Sequence, residues 1–191
     1  MKKILVCTSG FASMVLIASL LAQENKSAGF VDFGKLPASA SGKEFVEISL
    51  GRAVFAISGK LFEKSDPDVA GLLRGLQLLQ VNVVGLADDN REKIQEHIQK
   101  LRAELTGKGW ERIVTVKEKN EDVGIYLKTR GEEAIEGLVI TVLDGDKEAV
   151  LINIVGNIKP EQVATLGEKI GVDPLKKFAG AKKKEKAEKA P

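Results

Sequence analysis

The chain has 191 residues, 43% of them hydrophobic and 29% charged, with a formal net charge of +2. One histidine and one cysteine argue against a zinc centre, which draws mostly on those two ligands, and one thiol cannot build a disulfide framework. The near-neutral balance argues against a nucleic-acid binder, which needs a concentrated basic surface.

The N-terminus reads as an export signal. Lys2 and Lys3 supply a short positive start, and Ile4 to Ala22 follows without a charge. This pattern predicts a secretory signal peptide over residues 1–22, cleaved near Ala22, and hence a periplasmic or secreted protein. The alternative is an inner-membrane anchor left uncleaved, because a run of roughly 20 uncharged residues is long enough to cross a bilayer. Cys7 follows Val6 and precedes the apolar stretch, the reverse of a lipid-attachment signal. Removing residues 1–22 removes two lysines, no acid and the single cysteine, and brings the formal charge to 0. The remaining chain forms no disulfide or thiolate site, so an apolar core must hold it together.

Residues 23–42 are rich in small and turn-prone side chains and read as a linker. Phe30, Val31 and Phe33 interrupt it as anchors able to dock on a domain. Asn25-Lys26-Ser27 matches a glycosylation acceptor, a three-residue pattern that arises readily by chance.

Glu44 to Leu50 alternates, with Val46, Ile48 and Leu50 on one face, and predicts a first strand. Arg52 to Glu63 predicts an amphipathic helix with Val54, Ile57, Ser58 and Leu61 on one side, flanked by Phe55 and Phe62. Asp66-Pro67 starts a second helix, because Asp caps free N–H groups and Pro suits the first helical position. Its stripe is Val69, Leu72, Leu73 and Leu76. Leu78 to Leu86, with Val81, Val83 and Val84, predicts an inner strand. Asp88, Asp89 and Asn90 then open the longest helix, whose stripe Ile94, Ile98, Leu101 and Leu105 steps by four, three and four. Gly107 and Gly109 end it.

Residues 109–158 predict four consecutive strands. In the first, Trp110, Arg112, Val114 and Val116 alternate against Glu111, Ile113, Thr115 and Lys117. Asn120 sits in the polar break that follows. In the second, Val123, Ile125 and Leu127 alternate against Gly124, Tyr126 and Lys128. Leu138–Leu143 and Ala149–Val155 are apolar at nearly every position, as inner strands are. Asp144-Gly145 between them predicts a two-residue hairpin turn. Pro160 starts a last helix with Val163, Leu166 and Ile170 inward, stopped by Gly171. Asp173-Pro174 begins a short turn. Residues 179–191 hold five lysines and two glutamates with no apolar anchor, and predict a disordered tail.

The order strand, helix, helix, strand, helix, four strands, helix gives an α+β class: one domain over residues 43–178. A largely antiparallel sheet with its helices mostly on one face is expected, with split crossovers of ferredoxin-like type.

The residues offer no catalytic, cofactor-binding or metal-binding site. His97 lies beside the apolar stripe of the long helix, where a packed or half-exposed residue is expected rather than a general base. The acids at Asp88-Asp89, Glu121-Asp122, Glu132-Glu133 and Asp144-Gly145-Asp146 fall in turns or at a helix start, where backbone and dipole effects favour them. The spacing at Asp144, Asp146 and Glu148 puts its glycine too early for a calcium loop. No nucleotide-phosphate motif occurs. The strand carrying Tyr126 reads as a possible sheet edge, with Lys128 and Arg130 as guards.

VEISLG at 46–51, DPDVAGLLRGL at 66–76 with VNVVG at 81–85, GWERIVTVKE at 109–118, EDVGIYLK at 121–128 and LINIVGNI at 151–158 together resemble domain-of-unknown-function family 4252, exported proteins of Gram-negative bacteria. The resemblance spans roughly residues 43–170. It implies export and one compact α+β domain, and brings no activity, cofactor or catalytic residue. Many members look like lipoproteins, a pattern from which the misplaced Cys7 departs. Two functions are then expected from different classes. One is a non-enzymatic envelope module that binds an envelope protein or an anionic membrane surface through a sheet edge, a helix face or the lysine tail. The other is an enzyme or small-ligand carrier with a pocket of dispersed carboxylates and Tyr126.

Overall fold

A computed structural model describes residues 27–41, 43–119, 121–145, 147–159 and 162–163. The expected signal segment, the body of the last helix, the turn at Asp173-Pro174 and the lysine tail lie outside them, as do Asn25, Asn120, Asp146 and Pro160.

Six strands form one antiparallel sheet in the order β1-β2-β6-β5-β4-β3. They are β1 (Phe45–Gly51), β2 (Leu76–Gly85), β3 (Glu111–Lys117), β4 (Glu121–Arg130), β5 (Ala134–Asp144) and β6 (Glu148–Ile158). The helices α1 (Arg52–Phe62) and α2 (Pro67–Gly75) join β1 to β2, and α3 (Arg91–Gly107) joins β2 to β3. The class is α+β in one domain. β2 and β3 run parallel with β6, β5 and β4 between them, so β2-α3-β3 is a split crossover and the meander fills its gap. At about 1.5 Å per residue the 17 residues of α3 reach about 25 Å, enough to cross that gap.

Period-two alternation sorts the sheet into two faces. Val46, Val83, Val150, Val142, Val123 and Val116 stand opposite one another in one row across all six strands. Ile48, Val81, Ile152, Ile140, Ile125 and Val114 make the next row. On this face α1 and α2 pack through Phe55 and Leu72, and Val163 joins the same cluster. The other face belongs to α3, whose Ile94, Ile98, Leu101 and Leu105 pack with Trp110, Tyr126, Val139 and Leu151. The stripe spaced by four, three and four is therefore the buried one.

Local chemistry fixes the element ends. The Asp66 carboxylate accepts the N–H of Val69 (3.1 Å), and Pro67 follows as the first residue of α2. Gly109 ends the α3 region with φ of +75°, a conformation that costs glycine little.

Three expectations change. β3 does not keep Trp110, Arg112, Val114 and Val116 on one face. A bulge between Arg112 and Val114 inserts one residue, sending Trp110 to the α3 face while Val114 and Val116 join the opposite cluster. One extra residue inverts every later side chain. The β5–β6 loop is three residues long, not two, because Asp144 pairs with Glu148, and Lys147 donates its N–H to the Asp144 carbonyl (2.8 Å). β4 lies inside the sheet between β3 and β5, so the strand carrying Tyr126 is no edge. The true edges are β1 and β3.

Candidate functional site

The segment 27–41 lies across the α3 face, with Phe33 and Leu36 buried in its cluster. Polar side chains from three elements hold it as a strap. Asn153, wholly buried in β6, accepts the N–H of Val31 (2.9 Å) and donates to the Gly29 carbonyl (3.0 Å). His97 Nε2 meets the Phe33 carbonyl at 2.8 Å, so that nitrogen carries the proton. Asn90 donates to the Pro37 carbonyl (3.2 Å). The Asp89 carboxylate accepts from Ala40 N–H (2.7 Å) and Ser39 Oγ (2.9 Å). Those bonds, the Ala40 N–H first and the Ser39 hydroxyl second, hold the Asp89 carboxyl below its ordinary range.

This arrangement accounts for most residues with chemical potential. The single imidazole donates to a backbone carbonyl. Asp122 pairs with Arg102 (2.8 Å), and Arg102 also donates through Nε to Thr141 Oγ1 (2.9 Å). That side chain passes over Gly124, where an added Cβ would meet Arg102 Nε and Thr141 Oγ1 at 3.1 Å. Asp88 lies 3.8 Å from Arg91 and Asp144 lies 3.1 Å from Lys147. Tyr126 is buried under α3. These acids lie apart, before α3, on β4 and at the end of β5, and each has its own cation. Among the described residues no group of three or more His, Asp, Glu or Cys side chains is placed to hold a metal ion. No described helix is long and apolar enough to cross a membrane.

The surface that stands out is apolar. Among the described residues six large hydrophobic side chains are exposed, and all six lie on β1 or α1: Phe45, Ile48, Val54, Ile57, Leu61 and Phe62. The expected stripe Val54, Ile57 and Leu61 exists, but it faces solvent. Leu61 is 75% exposed and Ile57 63%. Helix α1 instead turns Phe55 and Gly59 inward. The physical reason lies in its neighbour: Gly59 sits against α2, where an added Cβ would meet Arg74 Cγ at 3.2 Å and the Ala70 carbonyl at 3.4 Å. Close helix contact needs a small residue, so Gly59 sets the rotation and the branched side chains point away. The sequence signal was present in Gly59 and Ala70, small residues in facing turns, but a hydrophobic stripe does not say which side a neighbour takes. Helix α1 also carries Arg52 at its start and Lys60 in its last turn and contains no acid, with Glu63 following as its C-cap.

Residues 40–166 match the model of a family described as Domain of unknown function (DUF4252). No curated protein and no solved structure matches the chain.

Proposed function

Since the chain belongs to the DUF4252 family, whose description assigns no activity, we propose from its surface that it is an exported, non-enzymatic interaction module of the cell envelope. It lies against an anionic membrane surface through α1. The observation that carries this reading is the orientation of α1. A helix with Val54, Ile57, Leu61 and Phe62 exposed, cations at Arg52 and Lys60 and no acid has the make-up of an interfacial helix. Its apolar ridge enters the headgroup boundary while the cations meet lipid phosphates. The lysines at 182–184, 186 and 189 add attraction of the same sign. The scattered acids and the buried Tyr126 favour this reading over a ligand carrier.

Vesicle co-sedimentation tests it. The protein should pellet with phosphatidylglycerol vesicles and not with phosphatidylcholine, less so as salt rises. Leu61→Glu should abolish pelleting, and deletion of 181–191 should weaken it. Equal pelleting of Leu61→Glu and wild type, or none by wild type, would refute the membrane reading. Retention of Leu61-dependent binding to an envelope protein without vesicle binding would move the same surface to a protein partner.

A further inference from the structure

We infer that β1 joins a second copy of this chain, building a twelve-stranded sheet that sets two α1 ridges on one side. The inference rests on the α1 surface proposed above but has its own ground in the chemistry of the edge.

The two edges differ. β3 carries Glu111, Arg112 and Lys117 and a bulge, the devices by which proteins block edge pairing. β1, FVEISLG, has one charge, no lysine and an unbroken register with β2. Phe45 and Ile48 are 44% and 42% exposed on it. An unguarded apolar edge is a pairing site.

The hydrogen-bond phase tells which groups face outward. Gly85 donates its N–H to the Glu44 carbonyl (2.7 Å), one step beyond the Phe45–Val84 pair. Alternation along an antiparallel ladder then points the backbone groups of residues 44, 46, 48 and 50 at β2, and those of Phe45, Glu47, Ser49 and Gly51 outward. A second β1 must meet this edge with its own outward residues. Centring on Glu47 sets two carboxylates face to face. Centring on Ser49 leaves Phe45 and Val46 without strand partners. Centring on Ile48 pairs all seven residues and meets each demand.

In that register Val46 stands opposite Leu50 of the second copy and Ile48 opposite Ile48, so the apolar rows run on across the seam. On the other face Glu47 stands opposite Ser49, a hydroxyl able to donate to the carboxylate. Phe45 stands opposite Gly51, where an added Cβ would meet nothing within 4 Å; an aromatic ring lying over a strand glycine fills such a space. One step beyond the strand, Glu44 comes level with Arg52 of the second copy, and symmetry repeats this opposite-charge pair at the far end. The two-fold axis stands perpendicular to the sheet, so both α1 helices remain on the same side. Two ridges tied together bind one surface with avidity that neither has alone.

The test uses the full chain with Cys7→Ser as background. Light scattering after gel filtration should give about twice the chain mass for this protein and the single chain mass for Ile48→Lys, which sets two ammonium groups face to face. Circular dichroism should be the same for both. Ile48→Cys should form an interchain disulfide under mild oxidation, because opposed positions bring Cβ atoms within about 5 Å. Glu47→Cys and Ser49→Cys should not. A background protein that is monomeric at tens of micromolar, a dimer that survives Ile48→Lys, or crosslinking at 47 or 49 in preference to 48 would overturn the inference. Leu61→Glu separates the two proposals: it should remain dimeric while losing vesicle binding. Vesicle binding by a monomeric protein would sink the dimer and spare the membrane reading, and a dimer blind to vesicles would do the reverse.

Discussion

Asn153 shows how much one polar side chain in a central strand can organise. It is wholly buried and joins β6 to a segment more than 120 residues earlier. Asn153→Ala leaves the Val31 N–H and the Gly29 carbonyl without partners in a buried site, which costs roughly 1–3 kcal/mol. Urea midpoints of the two proteins measure this. Asp89 acts at the other end of the strap, and its depressed pKa sets the sign of a pH effect. The folded state holds the carboxylate better than the unfolded state does, so its contribution is present above the unfolded pKa and lost as pH falls through the folded one. Hydrogen exchange at the Ala40 amide should therefore gain opening events on acidification below the ordinary aspartate range, and Asp89→Asn should flatten that response. The apolar anchors of the strap were legible beforehand in Val31 and Phe33; its polar fastenings were not. Asn153 gave no signal of its own within the apolar run Ala149–Val155, and His97 was readable only as a packed or half-exposed helix residue. Their partners are backbone atoms, which leave no trace in a sequence pattern.

Helix α3 and helix α1 make an instructive pair at the next scale. Both carry an apolar stripe, and in α3 that stripe is the core. Ile98→Ala should cost about 2–5 kcal/mol. In α1 the stripe is outside, so Leu61→Glu should change stability by no more than about 0.5 kcal/mol. Thermal or urea unfolding of both variants distinguishes a structural stripe from a recognition stripe. Period shows that a helix has an apolar side; packing, here fixed by Gly59 against α2, decides whether that side is buried. The β3 bulge is the same lesson for strands. The alternation of Trp110, Arg112, Val114 and Val116 was real as a pattern, but one inserted residue divides it between two faces. Trp110 lands over the contact between Gly137 and Gly29, where an added Cβ on Gly137 would meet Trp110 Cη2 at 2.5 Å and Gly29 Cα at 2.6 Å. Gly137→Ala should lift the strap, destabilise by roughly 1–3 kcal/mol and shift the emission of Trp110, the only tryptophan, to the red.

Across the whole molecule the class and the strand count followed from element order and hydrophobic period; of the expected split crossovers β2-α3-β3 forms, whereas β1 and β2 are antiparallel neighbours. The sheet edges did not follow, because strand neighbours are long-range facts. β4 alternates like an exposed strand yet sits second from the end, covered by β3, and β1, an ordinary alternating strand to the eye, is an open border. One consequence of the strap concerns time. The strap depends on Asn153, which lies more than 120 residues later in the chain. While synthesis proceeds, Phe33 and Leu36 have no finished sheet to settle on. The slot on the α3 face stays vacant until β6 arrives between β2 and β5. Closure is therefore a late, long-loop event, of the kind that slows a chain's arrival at its native form. The strap at 27–41, early in the chain, is the final part of the domain to come home.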